Sequence, residues 1–208
     1  MEWSLEDVEK TKLLNPNTFF IPSQKDRQKQ KKGDLVRLHF ILNHPSENDP
    51  RAERMWVEIT EKKLFSHKYI GILTNQPTYI NSLHAGDKIE FEPKHIARII
   101  IPKGDPRWLD SGEKMALVSN KCLEEGACVR WLYRETPDQE EDSGWRLFEG
   151  TETDEYNSES SNIRIVNIYS LLDKDPSLIT PLRGAPGTAF ERENIYSRWI
   201  EVKDWMGL

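Results

Sequence analysis

The residues best suited to chemistry lie between Arg130 and Tyr156, in the run RWLYRETPDQEEDSGWRLFEGTETDEY. Two arginines, Arg134 and Arg146, and two tryptophans, Trp131 and Trp145, flank a loop carrying Glu135, Asp138, Glu140, Glu141 and Asp142; Glu149, Glu152, Asp154 and Glu155 follow. A guanidinium in an apolar strand pairs with a carboxylate through two parallel hydrogen bonds or stacks on an aromatic face. Two carboxylates can share acid and base work only when held at a fixed separation with different pKa values. A stretch needed only for packing rarely sets so many charges beside its bulkiest aromatics. Three kinds of chemistry are open to this stretch. One is an internal ionic network of Arg134 with Glu135, Arg146 with Asp142 and Glu191 with Arg192. The second is a partner-binding surface built from Trp131, Tyr133, Arg134, Glu135, Asp138, Glu141, Asp142, Trp145, Arg146, Glu152, Asp154 and Glu155. The third is hydrolysis by Arg134 or Arg146 with nearby carboxylates.

Other chemistries have weaker support. Cys122 and Cys128 have five residues between them and no histidine near, and His39, His44, His67, His84 and His95 lack the close pairing of zinc ligands. No metal and no cofactor is expected. Ser119 follows an apolar run but has no glycine-flanked elbow, and the second half of the chain contains no histidine to activate a serine or cysteine. Gly184-Ala185-Pro186-Gly187 lacks the lysine of a phosphate-cradling loop.

The elements that must position these residues divide into two halves. Met1 to Asn17 reads as a short helix and linker, with Trp3, Leu5, Val8 and Leu13 or Leu14 at helical spacing. Gln24 to Lys32 is basic and free of apolar residues, an anion-binding arm or else a solvated turn or frayed helix end. Gly33-Asp34 and Gly86-Asp87 each open a strand of alternating character, with Met55–Thr60 and Tyr69–Leu73 as strands between them. Pro93–Ile96 is a helical turn, and Pro102-Lys103-Gly104-Asp105-Pro106 punctuates the chain. Strands are expected at Met115–Ser119, Cys128–Arg134, Gly144–Phe148, Ile163–Ile168 and Trp199–Val202. Short helices are expected at Asn120–Glu125, after Thr153, at Tyr169–Leu172 and from Pro176 to about Leu182. The fold class is α+β: a small bent sheet or SH3-like barrel over 1–105, then a mainly antiparallel sheet with short helices over 106–208.

The chain has 208 residues and a net charge of −6, which argues against whole-surface affinity for nucleic acid or anionic membrane. Seven tryptophans, seven phenylalanines and six tyrosines can build real cores. The acidic opening MEWSLEDVEK does not resemble a secretory signal, there is no long apolar run, and two cysteines fit reduced thiols, so a cytoplasmic location is expected.

Leu117-Val118-Ser119, Tyr133-Arg134-Glu135, Pro137-Asp138, Glu140-Glu141-Asp142-Ser143-Gly144-Trp145-Arg146 and Phe148-Glu149-Gly150 form a connected set of motifs. Asp154-Glu155-Tyr156, Asn162-Ile163, Asp175-Pro176 and Phe190-Glu191-Arg192 extend it. From about Lys114 to Val202 the chain thereby resembles a bacterial family first catalogued as a domain of unknown function and now described as immunity-protein-like. Members of that family occur in polymorphic toxin gene clusters. The first half resembles a second uncharacterised bacterial family through Glu53-Arg54-Met55-Trp56-Val57 and Gly86-Asp87-Lys88-Ile89-Glu90-Phe91, but has Asn75-Gln76 where relatives carry an acidic residue. The resemblance implies a non-catalytic protein that neutralises a toxin and assigns no residue a role; the acidic loop itself points to a basic partner, with Trp145, Trp131 or Tyr133, if accessible, as anchors. Two alternatives remain. The first half could bind nucleic acid through Lys25 to Lys32, Arg37, and Trp56 or Tyr79, or the protein could be a hydrolase built on Arg134 and Arg146.

Overall fold

The computed structural model describes residues 2–16, 18–63, 67–124 and 126–205. The chain divides into two compact units, Met1–Ile101 and Pro102–Leu208. Met1, Asn17 and Glu125, which bounded two of the expected segments, lie outside the described residues.

The first unit is a curled antiparallel half-barrel, the bent sheet expected. Its strands are β1 (Trp3–Leu5), β2 (Leu35–Leu42), β3 (Ala52–Lys62), β4 (Tyr69–Leu73), β5 (Lys88–Phe91) and β6 (Ile96–Ile99). They run in the order β1-β2-β3-β4-β5, and β6 returns through the Pro93–His95 turn to pair with β2. Gly33 and Gly86 sit at φ +91° and +96°, the left-handed turns from which β2 and β5 start. Along β2, Val36, Leu38, Phe40 and Leu42 point inward and meet Met55, Val57 and Ile59 of β3, with Tyr69, Ile89, Phe91 and Ile96 completing the core.

Two features of this unit depart from the sequence reading. Trp3 and Leu5 lie in a strand rather than a helix, because the open edge of β2 pairs with them, Trp3 opposite Leu42. Helix α1 is only Val8–Leu14, capped by Asp7. Within the basic run, α2 (Gln24–Lys29) buries Arg27, whose Nε and Nη1 donate to the carbonyls of Pro22 and Pro93, both at 2.9 Å. Arg27 also pairs with Glu9 at 2.8 Å, so its charge serves the fold.

The second unit is a six-stranded sheet in the order β10-β7-β9-β8-β11-β12. Here β7 is Met115–Ser119, β8 Trp131–Arg134, β9 Asp142–Phe148, β10 Ile163–Asn167, β11 Ala189–Glu191 and β12 Ile200–Glu201. Only β7 and β9 run parallel; the other pairs are antiparallel. The short helices are α3 (Asp154–Ser158) and α4 (Ile168–Lys174), with 3-10 turns at Asn120–Leu123, Ser160–Asn162, Pro176–Ile179 and Pro181–Arg183. Thr153 caps α3, its Oγ1 accepting from the Tyr156 N–H at 3.2 Å.

Strand alternation gives this sheet two unlike faces. Ala116, Val118, Leu132, Trp145 and Leu147 are buried, and Ile168, Leu171 and Leu172 of α4, with Leu178 and Leu182, supply further buried apolar side chains. On the opposite face stand Met115 and Leu117 of β7, Trp131 and Tyr133 of β8, Arg146 and Phe148 of β9, and Ile165 of β10, which is 70% exposed.

Candidate functional site

The Asp-Ser-Gly-Trp-Arg motif is a bulge that sets five residues of β9 against three of β7: Met115 faces Asp142 and Leu117 faces Arg146. Gly144 makes it possible. Its φ is +79°, and a Cβ there would lie 2.2 Å from the Glu135 carbonyl oxygen. The Gly144 N–H donates to Asp142 Oδ1 at 2.9 Å, the Trp145 N–H to Ser143 Oγ at 3.1 Å, and the Glu135 N–H to the Gly144 carbonyl at 2.8 Å. The bulge sends Trp145 into the core, where it is 0% exposed, and Arg146 to the other face.

Arg146 is clasped by two carboxylates. Its Nη1 and Nη2 meet Asp142 Oδ1 and Oδ2 at 2.9 and 3.0 Å, and its Nε meets Glu135 Oε2 at 2.8 Å. Hydrogen bonding from Arg146 holds the Asp142 carboxyl below its ordinary value. Arg134 points the other way. Its Nε and Nη1 donate to the carbonyls of Ser143 (3.0 Å) and Gly184 (2.8 Å), and its guanidinium lies 5.6 Å from the Trp145 ring centroid.

Of the three ion pairs anticipated, only Arg146 with Asp142 forms as drawn. Neighbours along a strand face opposite sides, so Arg134 cannot share a face with Glu135, nor Arg192 with Glu191. Glu135 instead joins Arg146. Arg192 pairs with Asp175, donates to the Val129 carbonyl at 2.7 Å and lies 4.3 Å from the Trp199 ring centroid. Arg134 and Arg146, both 8% exposed, therefore stand on opposite faces and do not converge in a cleft as a hydrolase would require. Trp145 cannot serve as a docking anchor, because its ring is enclosed; its buried Nε1 has no hydrogen-bond partner among the described residues.

The remaining candidates lie outward. Trp131 and Tyr133 are half-buried, and Phe148, which the sequence reading did not single out, joins them. Register accounts for the cluster: Trp131 lies opposite Phe148 and Tyr133 opposite Arg146. The Tyr133 and Phe148 rings stack at 5.9 Å with 13° between planes, Trp131 is 6.3 Å from Tyr133, and Trp205 leans on Tyr133 at 5.0 Å. Burial, with Glu135 nearby, raises the Tyr133 phenol above its ordinary value.

Beside these rings is a groove of about 460 Å³, lined by Arg130, Trp131, Tyr133, Phe148, Glu152 and Glu191 among others. Glu152 accepts the N–H groups of Glu149 (2.8 Å) and Gly150 (2.7 Å). Partial burial opposes its charge, but the Ser119 hydroxyl and these backbone donors outweigh it, so its carboxyl lies below the ordinary value. Asp154 and Glu155 are exposed in the first turn of α3, whose Asn157 also lines the groove. Asp138, Glu140 and Glu141 are exposed in the loop between β8 and β9. The acidic set thus splits: Glu135 and Asp142, with Glu149 paired to Arg130, serve the fold, and the others face solvent or the groove.

Residues considered for other chemistry have structural roles. Ser119 is buried and its Oγ caps the following turn, accepting from the Lys121 N–H at 3.3 Å. Burial pushes the Cys122 thiol far up, away from the reactive thiolate. Among the described residues no group of three or more His, Cys, Asp or Glu could hold a metal ion, and no helix is long and apolar enough to cross a membrane.

Residues 116–203, the greater part of the second unit, match the family model described as Immunity protein Imm33 domain, which bears out the resemblance read in the second half of the sequence. No curated protein and no solved structure gives a match to the chain.

Proposed function

We propose that the second unit is an immunity-type docking module that binds a basic toxin through the outer face of its sheet and neutralises it by covering its active site. Immunity domains imply a protein partner in general, and the match over residues 116–203 supplies that starting point. The observation that carries the reading is the cluster of Trp131, Tyr133 and Phe148 on the outer face of two adjacent strands beside a groove, with Tyr133 and Phe148 stacked. Half-buried aromatic side chains on a rigid sheet are efficient anchors, since little side-chain freedom is lost when a partner covers them. Ile165 and Leu117 extend the same face across β10 and β7, where they are register partners.

Charge supports a basic partner. Asp138, Glu140, Glu141, Asp154 and Glu155 are exposed around the second unit and favour approach of a positive surface. The reading moves the contact from the Arg134–Arg146 pair to the aromatic face. It keeps Trp131, Tyr133, Asp138, Glu141, Glu152, Asp154 and Glu155 as partner-facing residues.

The test is affinity capture from a native lysate with the full chain and with a Trp131→Ala/Tyr133→Ala variant, at low and high salt. A basic protein captured by the wild type at low salt, and lost both at high salt and with the variant, is expected. Capture of the same protein by both chains would place the contact elsewhere.

A further inference from the structure

The groove beside the aromatic trio has an unbalanced charge. Four charged residues line it: Arg130, Arg192, Glu152 and Glu191. Both guanidiniums are committed. Arg130 donates from Nε to the Glu149 carbonyl at 2.7 Å and pairs with the Glu149 carboxylate at 3.4 Å, which holds it down over Gly150. Arg192 is drawn under the sheet by Asp175, the Val129 carbonyl and the Trp199 ring. Each arginine is thus matched by a carboxylate that does not line the groove, and Glu152 and Glu191 are left without a cation.

The two carboxylates differ in kind. Glu152 is fixed by the Glu149 and Gly150 N–H groups, which orient it without neutralising it. Glu191 is exposed, lies directly across β11 and β8 from Trp131, and its carboxylate has no partner among the described residues. The groove therefore joins aromatic walls to negative charge that the protein itself does not satisfy. Ring faces attract cations, and more strongly once water is displaced.

We infer that this groove receives a cationic side chain, an arginine or lysine of the protein partner, laid against Trp131, Tyr133 and Phe148 and paired with Glu191. The inference rests on the docking reading above and names the chemistry of its central contact. An aliphatic side chain would leave Glu152 and Glu191 facing a covered, unpaired site, and an acidic one would be repelled. Arginine suits the site especially well, because its planar guanidinium can lie on a ring and still present N–H donors at its edge to a carboxylate.

The experiment uses the full chain and follows the Trp131 indole N–H resonance by NMR, with four probes: the N-acetyl methylamides of arginine, lysine, norleucine and glutamine. Movement of the Trp131 resonance with the two cationic probes and not with the two neutral ones is expected. Glu191→Gln should weaken cationic binding by about threefold, the scale of an exposed ion pair. Because the Glu191 side chain is exposed and makes no hydrogen bond or ion pair among the described residues, the fold should survive the change, with the other indole resonances as the control. Equal movement with norleucine, or no movement with any probe, overturns the inference. A partner still lost on the Trp131→Ala/Tyr133→Ala change would then leave the docking reading standing. Cationic probes that bind, alongside a captured partner whose affinity ignores Glu191→Gln, would overturn the assignment of the groove to the partner's side chain.

Discussion

Asp142 and Arg146 are joined by two parallel hydrogen bonds, Oδ1 to Nη1 at 2.9 Å and Oδ2 to Nη2 at 3.0 Å, across a bulge in a single strand. Both ends of this clasp also hold something else: Asp142 Oδ1 accepts the Gly144 N–H, and Arg146 Nε reaches Glu135. The pair therefore fixes where β9 resumes after the bulge and how the β8–β9 loop returns to it. Removing one partner of a largely buried pair leaves the other charge uncompensated, at about 3–5 kcal/mol when burial is complete. Asp142 and Glu135 keep some solvent contact, so Arg146→Ala should lose about 2 kcal/mol of stability, discounted for that screening. Arg146→Lys should recover only part of the loss, because an ammonium cannot satisfy both carboxylates in the same plane. Urea unfolding of the three proteins checks this, and equal midpoints would show that the clasp contributes nothing.

The same clasp sets an acid limb. Arg146 lowers the Asp142 carboxyl from its ordinary 3.8, so the folded state holds the charged form more firmly than the unfolded chain does. That stability is fully present above the unfolded value and is lost as pH falls through the lower folded one. Asp142→Asn should be less stable than wild type at neutral pH, and the gap should narrow as the pH falls below about 4. A gap that stays constant down to strongly acid pH would mean that the carboxylate charge is not what matters at this position.

Gly144 has a separate vulnerability. At φ +79° an L side chain is strained, and its Cβ would meet the Glu135 carbonyl oxygen at 2.2 Å, a backbone atom that cannot rotate aside. Gly144→Ala should cost about 1–3 kcal/mol from the backbone conformation alone, with more from the contact. Opening the bulge to relieve it would break the Glu135 to Gly144 hydrogen bond. A thermal midpoint within error of wild type would refute the geometry described for the bulge.

Much of the architecture is legible in the sequence because it rests on local signals. Val36, Leu38 and Phe40 alternate with Arg37 and His39, and Thr153 precedes its helix as a cap should. What escapes is decided by partners distant in sequence. Trp3 and Leu5 become a strand because β2 has an unpaired edge, and Ala189–Glu191 becomes one because Trp131–Tyr133 needs a neighbour. The site shows the same limit. The density of arginine, carboxylate and tryptophan draws attention to the stretch that forms the bulge and the aromatic cluster, but side-chain direction depends on register. The Asp142–Arg146 pair is legible in the sequence, but the bulge that brings the two together across i,i+4 is not, and Trp145 turns inward because of it. Phe148 escaped notice because its partner in the aromatic cluster lies on the neighbouring strand.

Neutral imidazoles hold part of the first unit together. Burial pushes the His39 ring below its ordinary 6.5, against the raising effect of Glu6, which lies 2.6 Å from Nδ1. Its buried Nε2 has no partner among the described residues, so a proton added there would find no acceptor. His95 is lowered too, first by burial and then by Lys94, and its Nδ1 accepts the Glu92 N–H at 3.0 Å, which only the unprotonated nitrogen can do. Both folded values lie below the unfolded one, so this stability is complete above about pH 6.5 and falls as pH drops through the folded values. Amide exchange of Val36, Leu38 and Phe40 should quicken between about pH 7 and 5 relative to the intrinsic rate. A His39→Gln/His95→Gln variant should be weaker at neutral pH and show less of this trend. An unchanged pH trend in the variant would shift the cause to the carboxylates.

The exposed loop acids should act on encounter rather than on the formed complex. Asp138, Glu140 and Glu141 stand in solvent between β8 and β9, whereas Trp131, Tyr133 and Phe148, the proposed anchors, lie on the sheet face. Long-range attraction from such charges speeds association and is screened by salt, while residence time depends on desolvated contacts. A D138N/E140Q/E141Q variant should associate with a basic partner several-fold more slowly at low salt, with its dissociation rate nearly unchanged. At high salt the two association rates should converge, because screening already removes what the substitutions remove. Trp131→Ala should do the opposite, leaving association nearly intact and hastening dissociation. Surface plasmon resonance at two ionic strengths separates the cases. A triple variant that dissociates faster would bring the loop into the contact itself, and the aromatic face would no longer suffice to explain affinity.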